Sequence, residues 1–519
     1  MDGQPRLPDS MHSCLNLDEI VRLIACELVT INAKATAVAL ALCRKSFEDP
    51  VLDVLWETQE HLLPLQKCLP EDVWNEIGCV VSCINNTLFS SLNRLIRKTF
   101  KRLPTTLEWA RFREYARRMR KLGGFYVLNF LSEEAFSVLE LHATKEPFFP
   151  NMRALELFPI SKSVPFIPLF LSPRTTNISI GFFEPDFCKE MVASMITALP
   201  TLCPNLQDIS LHPLPRYPII TAAVSAMLLA SNRDTLQCFC VGSPLTEEAR
   251  EVVYTHPNLR RLLTVITRDT SLPTVFLPNL TELCIEYGHD HRWLQGFRGA
   301  TLGKLTLVGF YPKHKPIGDS LKAFESVALA ASIQDSLSQF CLRTSYSWNP
   351  NYSSLLPFTR LTLLVIVFSC DDGCSSTVDD NIITDLARAM PKLKTLELGD
   401  EPCREIRTGV TVKGLTALAH HCLDLSTLRI HFQVASLSAP PAISGLTPNA
   451  EFTIQRRDCA LTDLEVGEIP APEESVLAVA LTLAHIFPRI ESIRSGDYNW
   501  EKVVEAICAS RETINNSSE

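Results

Sequence analysis

Over residues 410–432 the spacing of hydrophobic positions changes period once. From Leu415 through Leu418 and Ala419 to Cys422 the apolar residues share one stripe of a helix, whereas Leu425, Leu428 and Ile430 alternate with Thr427 and Arg429 as in a half-buried strand. Neither half can bury its apolar side alone, so the unit predicts stacked copies of itself. The strand half recurs as an apolar-x-x-apolar-x-apolar tract starting at Met152, Leu206, Leu236, Leu280, Leu302, Leu337, Leu361, Leu393, Leu425 and Leu461, with weaker copies at Thr175, Leu259 and Ile490. From Leu206 onward the starts lie 21 to 36 residues apart. Pro150, Pro204, Pro257, Pro278, Pro391 and Pro488 each stand two residues before a tract, where a residue without an N–H ends the preceding element. The pattern therefore predicts, over 150–500, an α/β solenoid in which a parallel strand ladder carries outer helices.

In such a ladder the first, fourth and sixth residues of each tract turn inward, and the third, fifth and seventh line the open face. That face then holds Glu282, Glu286, Lys304, Arg343, Glu397, Arg429, His431, Asp463 and Glu465. This mixed-charge stripe suits a protein target, with the connecting loops as the other candidate surface. Leu363, Val365 and Val367 interrupt the stripe and are expected to form either an anchor pocket or a strand covered by residues 369–377.

Residues 15–65 carry the pattern of three short helices behind a flexible start, 1–14. Leu17, Ile20, Ile24 and Leu28 mark the first, with Asn16 as its expected cap, Glu19 as third helical residue and Leu15 and Ile20 as a hydrophobic staple. The second covers 35–42. The third is expected to start with Asp49 as cap and Pro50 as first helical residue, with Val51, Leu52, Leu55 and Trp56 on its apolar side. So small a helical core needs a neighbouring surface to be stable. Residues 66–149 read as a helical linker, and 501–519 as a C-terminal helix and polar tail.

The sequence Gly414, Leu415, Leu418, Ala419, Cys422, Leu425, Leu428, Ile430 resembles the cysteine-containing leucine-rich repeat of F-box proteins. The order of residues in 15–65 resembles the F-box itself at Leu15, Leu17, Glu19, Ile20, Ile24, Leu28, Leu42, Cys43, Phe47, Pro50, Leu52 and Trp56, with Asn16-Leu17 where the family opens on Leu-Pro. The resemblance implies a substrate-recognition subunit of a cullin-based ubiquitin ligase that performs no catalysis and needs no cofactor. Its N-terminal helices would bind a Skp-type adaptor, and through it the cullin scaffold, using Leu15, Leu17, Ile20, Ile24, Leu28, Leu42, Phe47, Pro50, Leu52 and Trp56, while the repeats hold an as yet undefined protein target. The alternative expectation is a leucine-rich interaction scaffold in which residues 15–65 only cap the solenoid.

Composition narrows this picture. A net charge of −9 and a pI near 5.8 argue against general nucleic-acid or membrane-surface binding. The start MDGQPRLPDS has no secretory pattern, so a cytoplasmic or nuclear protein is expected, with the 18 cysteines reduced. One segment departs from the acidic balance: between Arg94 and Lys121 eleven Lys or Arg face only Glu108 and Glu114. The expectation is a solvated helix face, or else a docking patch for an acidic partner.

Catalytic and metal motifs fail on inspection. Residues 299–305 lack the Ser or Thr that should follow Lys304 in a phosphate loop. Cys284 with His289 and His291, and Cys370 with Cys374, supply too few convergent zinc ligands. Cys422, though beside His420 and His421, falls on the repeat's buried position, as Cys203 and Cys459 are also expected to do.

Overall fold

In the computed structural model the described residues are 17–79, 95–124, 131–143, 147–159, 161–182, 187–212, 218–231, 234–266, 277, 279–287, 301–309, 333–344, 352–369, 378–401, 408–438, 459–467, 476–495 and 499–516. Leu15, Asn16, His289, His291, Cys370 and Cys374 lie outside them. The chain divides into two compact units, 1–252 and 253–519.

The first unit begins with three helices, α1 (Asp18–Thr30), α2 (Lys34–Cys43) and α3 (Lys45–Glu57). They close on a core of Val21, Ala25, Ala37, Ala41, Phe47, Val51 and Val54. Two local expectations shift. The cap of α1 is Leu17, whose side chain caps nothing, so the helix starts later than an Asn16 cap requires. The third helix starts before Asp49, and Pro50 sits inside it. Burying Phe47 draws the start back by a turn, and Pro50 is tolerated because the Ser46 carbonyl it leaves without an amide belongs to an exposed residue.

Parallel strands follow directly. β1 (Thr58–Gln59) pairs with β4 (Lys121–Gly124), and β5 (Ala154–Leu157), β6 (Asn177–Gly181), β7 (Asp208–His212) and β8 (Cys238–Pro244) add in order. Between them β2 (Trp74–Cys79) and β3 (Leu95–Phe100) form an antiparallel pair. The ladder thus begins at Thr58, α4 (Leu63–Gln66) follows, and 66–149 holds strands as well as the helices α5 (Thr106–Ala116) and α6 (Glu133–Ala143). Gly124 permits this junction, because a Cβ there would run into the carbonyl of Glu60.

The second unit is a parallel ladder of β9 (Arg261–Ile266), β10 (Glu282–Tyr287), β11 (Lys304–Gly309), β12 (Gln339–Thr344), β13 (Leu363–Ser369), β14 (Thr395–Glu401), β15 (Thr427–Ile430), β16 (Asp463–Gly467) and β17 (Ser492–Ser495). All thirteen tracts become strands, each starting two residues after the tract does. The tract's first residue is the inward anchor: Leu280, Leu337, Leu361, Leu393, Leu425 and Leu461 are fully buried. The second residue ties the turns together. Its amide and the next donate to one carbonyl of the preceding unit, as Thr281 and Glu282 do to Arg260 and Lys394 and Thr395 do to Thr362. Where that second residue is hydroxylic the side chain donates to the same carbonyl, as in Thr176, Thr281, Ser338, Thr362, Ser426 and Thr462.

Outer helices Asp380–Ala389 and Val412–His421 pack side by side, joined by one carboxylate. Asp380 accepts from Thr411 N (2.7 Å), Thr411 Oγ1 (2.6 Å) and Gly414 N (3.0 Å). A Cβ on Gly414 would stand 2.7 Å from that carboxylate oxygen, which is the physical reason for glycine at this position of the repeat. Cys422 ends the second helix fully buried, its thiol directed at the carbonyls of Ala387 and Met390, and Cys459 repeats the contact on the carbonyl of Cys422. Burial pushes the Cys422 and Cys203 thiols up, to about 12 and about 11. The cysteines of the described residues are free thiols.

Candidate functional site: an exposed helical face and the open side of the ladder

Six large apolar side chains in α1, α2 and their flanks face solvent: Leu17 (53 % exposed), Leu23, Ile24, Ile31, Val38 and Leu42 (83 %). Leu17, Ile24 and Ile31 recur at intervals of seven along one side of the first helix, beside the side that carries Val21 and Ala25 into the core. Of the expected adaptor-binding residues, Leu17, Ile24 and Leu42 are therefore exposed. Ile20, Leu28, Leu52 and Trp56 are half-buried, with Leu28 packed against the core and the Trp56 ring tilted against Tyr115, centroids 4.6 Å apart. Phe47 and Pro50 are buried and belong to the helical core, not to a surface.

Part of the basic segment is bound within the fold and part of it stays solvated. Arg118, between α5 and β4, binds Asp49 (2.6 Å) and Asp53 (2.5 Å) on α3, and Arg120 reaches Glu57 at 3.5 Å, which Arg22 of α1 also contacts. Arg102 bridges Asp72 and Glu108, and Lys98 faces Glu76. The Arg102 guanidinium, with the Thr105 amide, holds the Glu108 carboxyl down at about 2. Arg118 and Arg120 fasten α3 to the start of the ladder, whereas Arg102 and Lys98 tie the β2–β3 pair and α5 together. Lys101, Arg111, Arg117 and Lys121 remain exposed.

On the second unit the open face carries the expected alternation, and the register shows how the charges are ordered. One row across the strands reads Glu397, Arg429, Glu465, Arg494. Arg429 bonds Glu465 at 3.3 Å, and Arg494 lies 3.7 Å from Asp463, whose carboxyl is held down by hydrogen bonds from Ser492 and Thr462. A second row starts with Arg261 and Glu282, joined through two hydrogen bonds of 2.8 and 3.2 Å, and continues to Lys304. Glu286 and Glu397 are half-exposed, and Lys304 and Arg343 exposed. The stripe is thus partly self-neutralised. Arg261 and Arg494 were missed in the sequence because their tracts, at Leu259 and Ile490, are weak ones; the third and fifth positions of those tracts give them.

Two expected positions behave differently. His431 lies beyond the end of β15, is 7 % exposed and rests against Gly399, so it is not part of the open stripe. Burial, with Arg429 nearby, pushes its imidazole down to about 4, and it is neutral at pH 7. Val365 and Val367 are buried and Leu363 is half-buried; the segment expected to cover them, 370–377, lies outside the described residues.

No protein-family model and no curated protein sequence matches the chain. Function therefore has to be argued from these two surfaces. Among the described residues no group of three or more His, Cys, Asp and Glu side chains is arranged to hold a metal ion, and no helix is long and apolar enough to cross a membrane.

Proposed function

We propose that the protein is a non-catalytic recognition subunit of a cullin-type ubiquitin ligase, with its N-terminal helices as the adaptor-docking module and its second ladder as the target-holding surface. The observation that carries this reading is the exposed apolar side of α1 and α2. A helical cap serving only to close a ladder would turn its large apolar residues toward that ladder, whereas Leu17, Ile24, Ile31 and Leu42 point to water. A Skp-type adaptor is the partner that the sequence resemblance implies for such helices, and the cullin scaffold would follow through it. Leu17, Ile20, Ile24 and Leu42 form the docking set in this reading, with Phe47 and Pro50 shaping it from within.

Holding is the chemistry such a protein needs. A target on the open face of the second ladder would be kept at high local concentration near a ubiquitin-loaded enzyme bound to the same scaffold. The partly paired charge rows favour a protein target with charges of both signs over nucleic acid.

The second reading, a scaffold without ligase function, draws on the Arg118 contacts, which make the three helices a continuation of the ladder. Co-expression of the full chain with a Skp-type adaptor and a cullin scaffold separates the two. Recovery of a stoichiometric three-protein complex is expected, and recovery of the chain alone contradicts the ligase reading.

A further inference from the structure

Two of the cations left exposed in the basic segment belong to a longer row. Arg117 lies in the turn into β4 and Lys121 is that strand's first residue, Arg153 stands directly before β5, and Arg174 lies in the turn into β6. Because β4, β5 and β6 pair in order, three successive turns of the first ladder each present an exposed cation along one edge, where the strands enter the sheet. Among the described residues no carboxylate lies within ion-pair distance of any of the four, whereas their neighbours Arg118 and Arg120 are both engaged by α3.

The backbone beneath the row is fixed. Met119 and Met152 anchor the first two turns and are fully buried. The Arg153 amide donates to the Arg120 carbonyl at 2.7 Å, and the Arg153 carbonyl accepts from the amides of Thr176 and Asn177 at 2.8 and 3.0 Å. Asn151 joins the ends of the row: its side-chain amide donates to the Arg117 carbonyl (2.7 Å), and its Oδ1 accepts from Arg174 Nη1 (2.6 Å). That bond uses one of the five donors of Arg174 and leaves the rest of its fork to solvent. A ligand thus meets cations whose backbones are already placed, which lowers the entropy lost on binding.

We propose that this edge of the first ladder is a docking row for a short acidic segment of a partner protein, held extended across the turns into β4, β5 and β6. Neighbouring strands lie about 4.8 Å apart, so the row spans about 10 Å, and an extended peptide, advancing about 3.3 Å per residue, covers it with about three or four residues. Three of the four cations are arginines, whose planar forks match carboxylates through two parallel hydrogen bonds. A long polyanion fits less well, because the chain as a whole carries −9 and opposes it beyond the row. The row shares no residue with the helical face or with the open side of the second ladder, so it engages its partner independently of both. Exposed ion pairs are individually weak and screened, so binding is modest and depends strongly on salt.

The test titrates the full chain into fluorescein-labelled hexaglutamate, with hexaglutamine as the uncharged control, and reads anisotropy at low and at physiological ionic strength. Hexaglutamate should bind saturably and hexaglutamine should not, and salt should weaken the complex. Arg153→Glu with Arg174→Glu should lower the affinity by about tenfold or more, and Arg153→Gln with Arg174→Gln by less, both with the circular dichroism spectrum of the wild type. Lys101→Glu with Arg111→Glu makes the same change of net charge at exposed cations outside the row and should leave the affinity within about twofold. The proposal is overturned if hexaglutamate binds no better than hexaglutamine, if the Arg153 and Arg174 variants bind like the wild type, if the Lys101 and Arg111 variant loses as much, or if a single-stranded oligonucleotide binds the chain more tightly than hexaglutamate.

Discussion

Gly414 and His431 show how much of the second ladder rests on single close contacts. Replacing Gly414 with alanine drives a Cβ to 2.7 Å from Asp380 Oδ1 and 3.1 Å from Val410, and the carboxylate that joins two helices must retreat. Losing one charge-assisted hydrogen bond and some packing is worth about 1–3 kcal/mol, so Gly414→Ala should lower the urea midpoint accordingly with an unchanged slope. His431 supplies a pH dependence. Its folded imidazole titrates near 4 and an unfolded one near 6.5, so between those values the unfolded chain binds the extra proton. Stability from this group is complete above pH 6.5 and is lost as pH falls toward 4, by up to about 3 kcal/mol. The melting temperature of the wild type should thus fall more steeply than that of His431→Leu across this window; parallel curves would show a solvated imidazole.

At the scale of elements, the Arg118 contacts join α3 to β4. The side chain is 11 % exposed and holds two carboxylates of one helix, so Arg118→Met should cost about 1–3 kcal/mol and raise hydrogen exchange in α3, while leaving exchange in 253–519 as it was. Uniform exchange along the chain would contradict that coupling. These contacts could not be read from the sequence, because Asp49, Asp53, Glu57, Asp72 and Glu76, which neutralise the basic segment, all lie before its first residue. The ladder itself was legible, since a buried leucine two residues before the strand marks most of its turns. β4 escaped notice because Gly124 stands where the tract has its last apolar residue, a need created by the approach of Glu60 and so invisible locally. The start of α3 was misplaced for the opposite reason. Asp49-Pro50 is a strong local start signal, and the tertiary burial of Phe47 overrode it. On the open face the stripe was legible by parity alone, but the pairing within it needed the register.

At the scale of the whole molecule, the proposal separates two binding surfaces that share no residue. Charge reversal of one row, Glu397→Lys with Arg429→Glu, should remove target capture in proximity labelling and keep adaptor binding; capture at the wild-type level would move the target to the loops. The docking face allows the sharpest substitution, because Leu42 is 83 % exposed and Ile24 lies at the edge of the helical core, so a lysine at either place leaves the fold intact. A lysine in a desolvated interface centre, by contrast, costs several kcal/mol. The most direct measurement is therefore calorimetric titration of a Skp-type adaptor into the full chain, its Leu42→Lys variant and its Ile24→Lys variant, with the melting temperature of each recorded. The account predicts saturable binding by the wild type, a loss of about a hundredfold or more in each variant, and equal melting temperatures. Wild-type protein that does not bind, or variants that bind as tightly as it does, would contradict it.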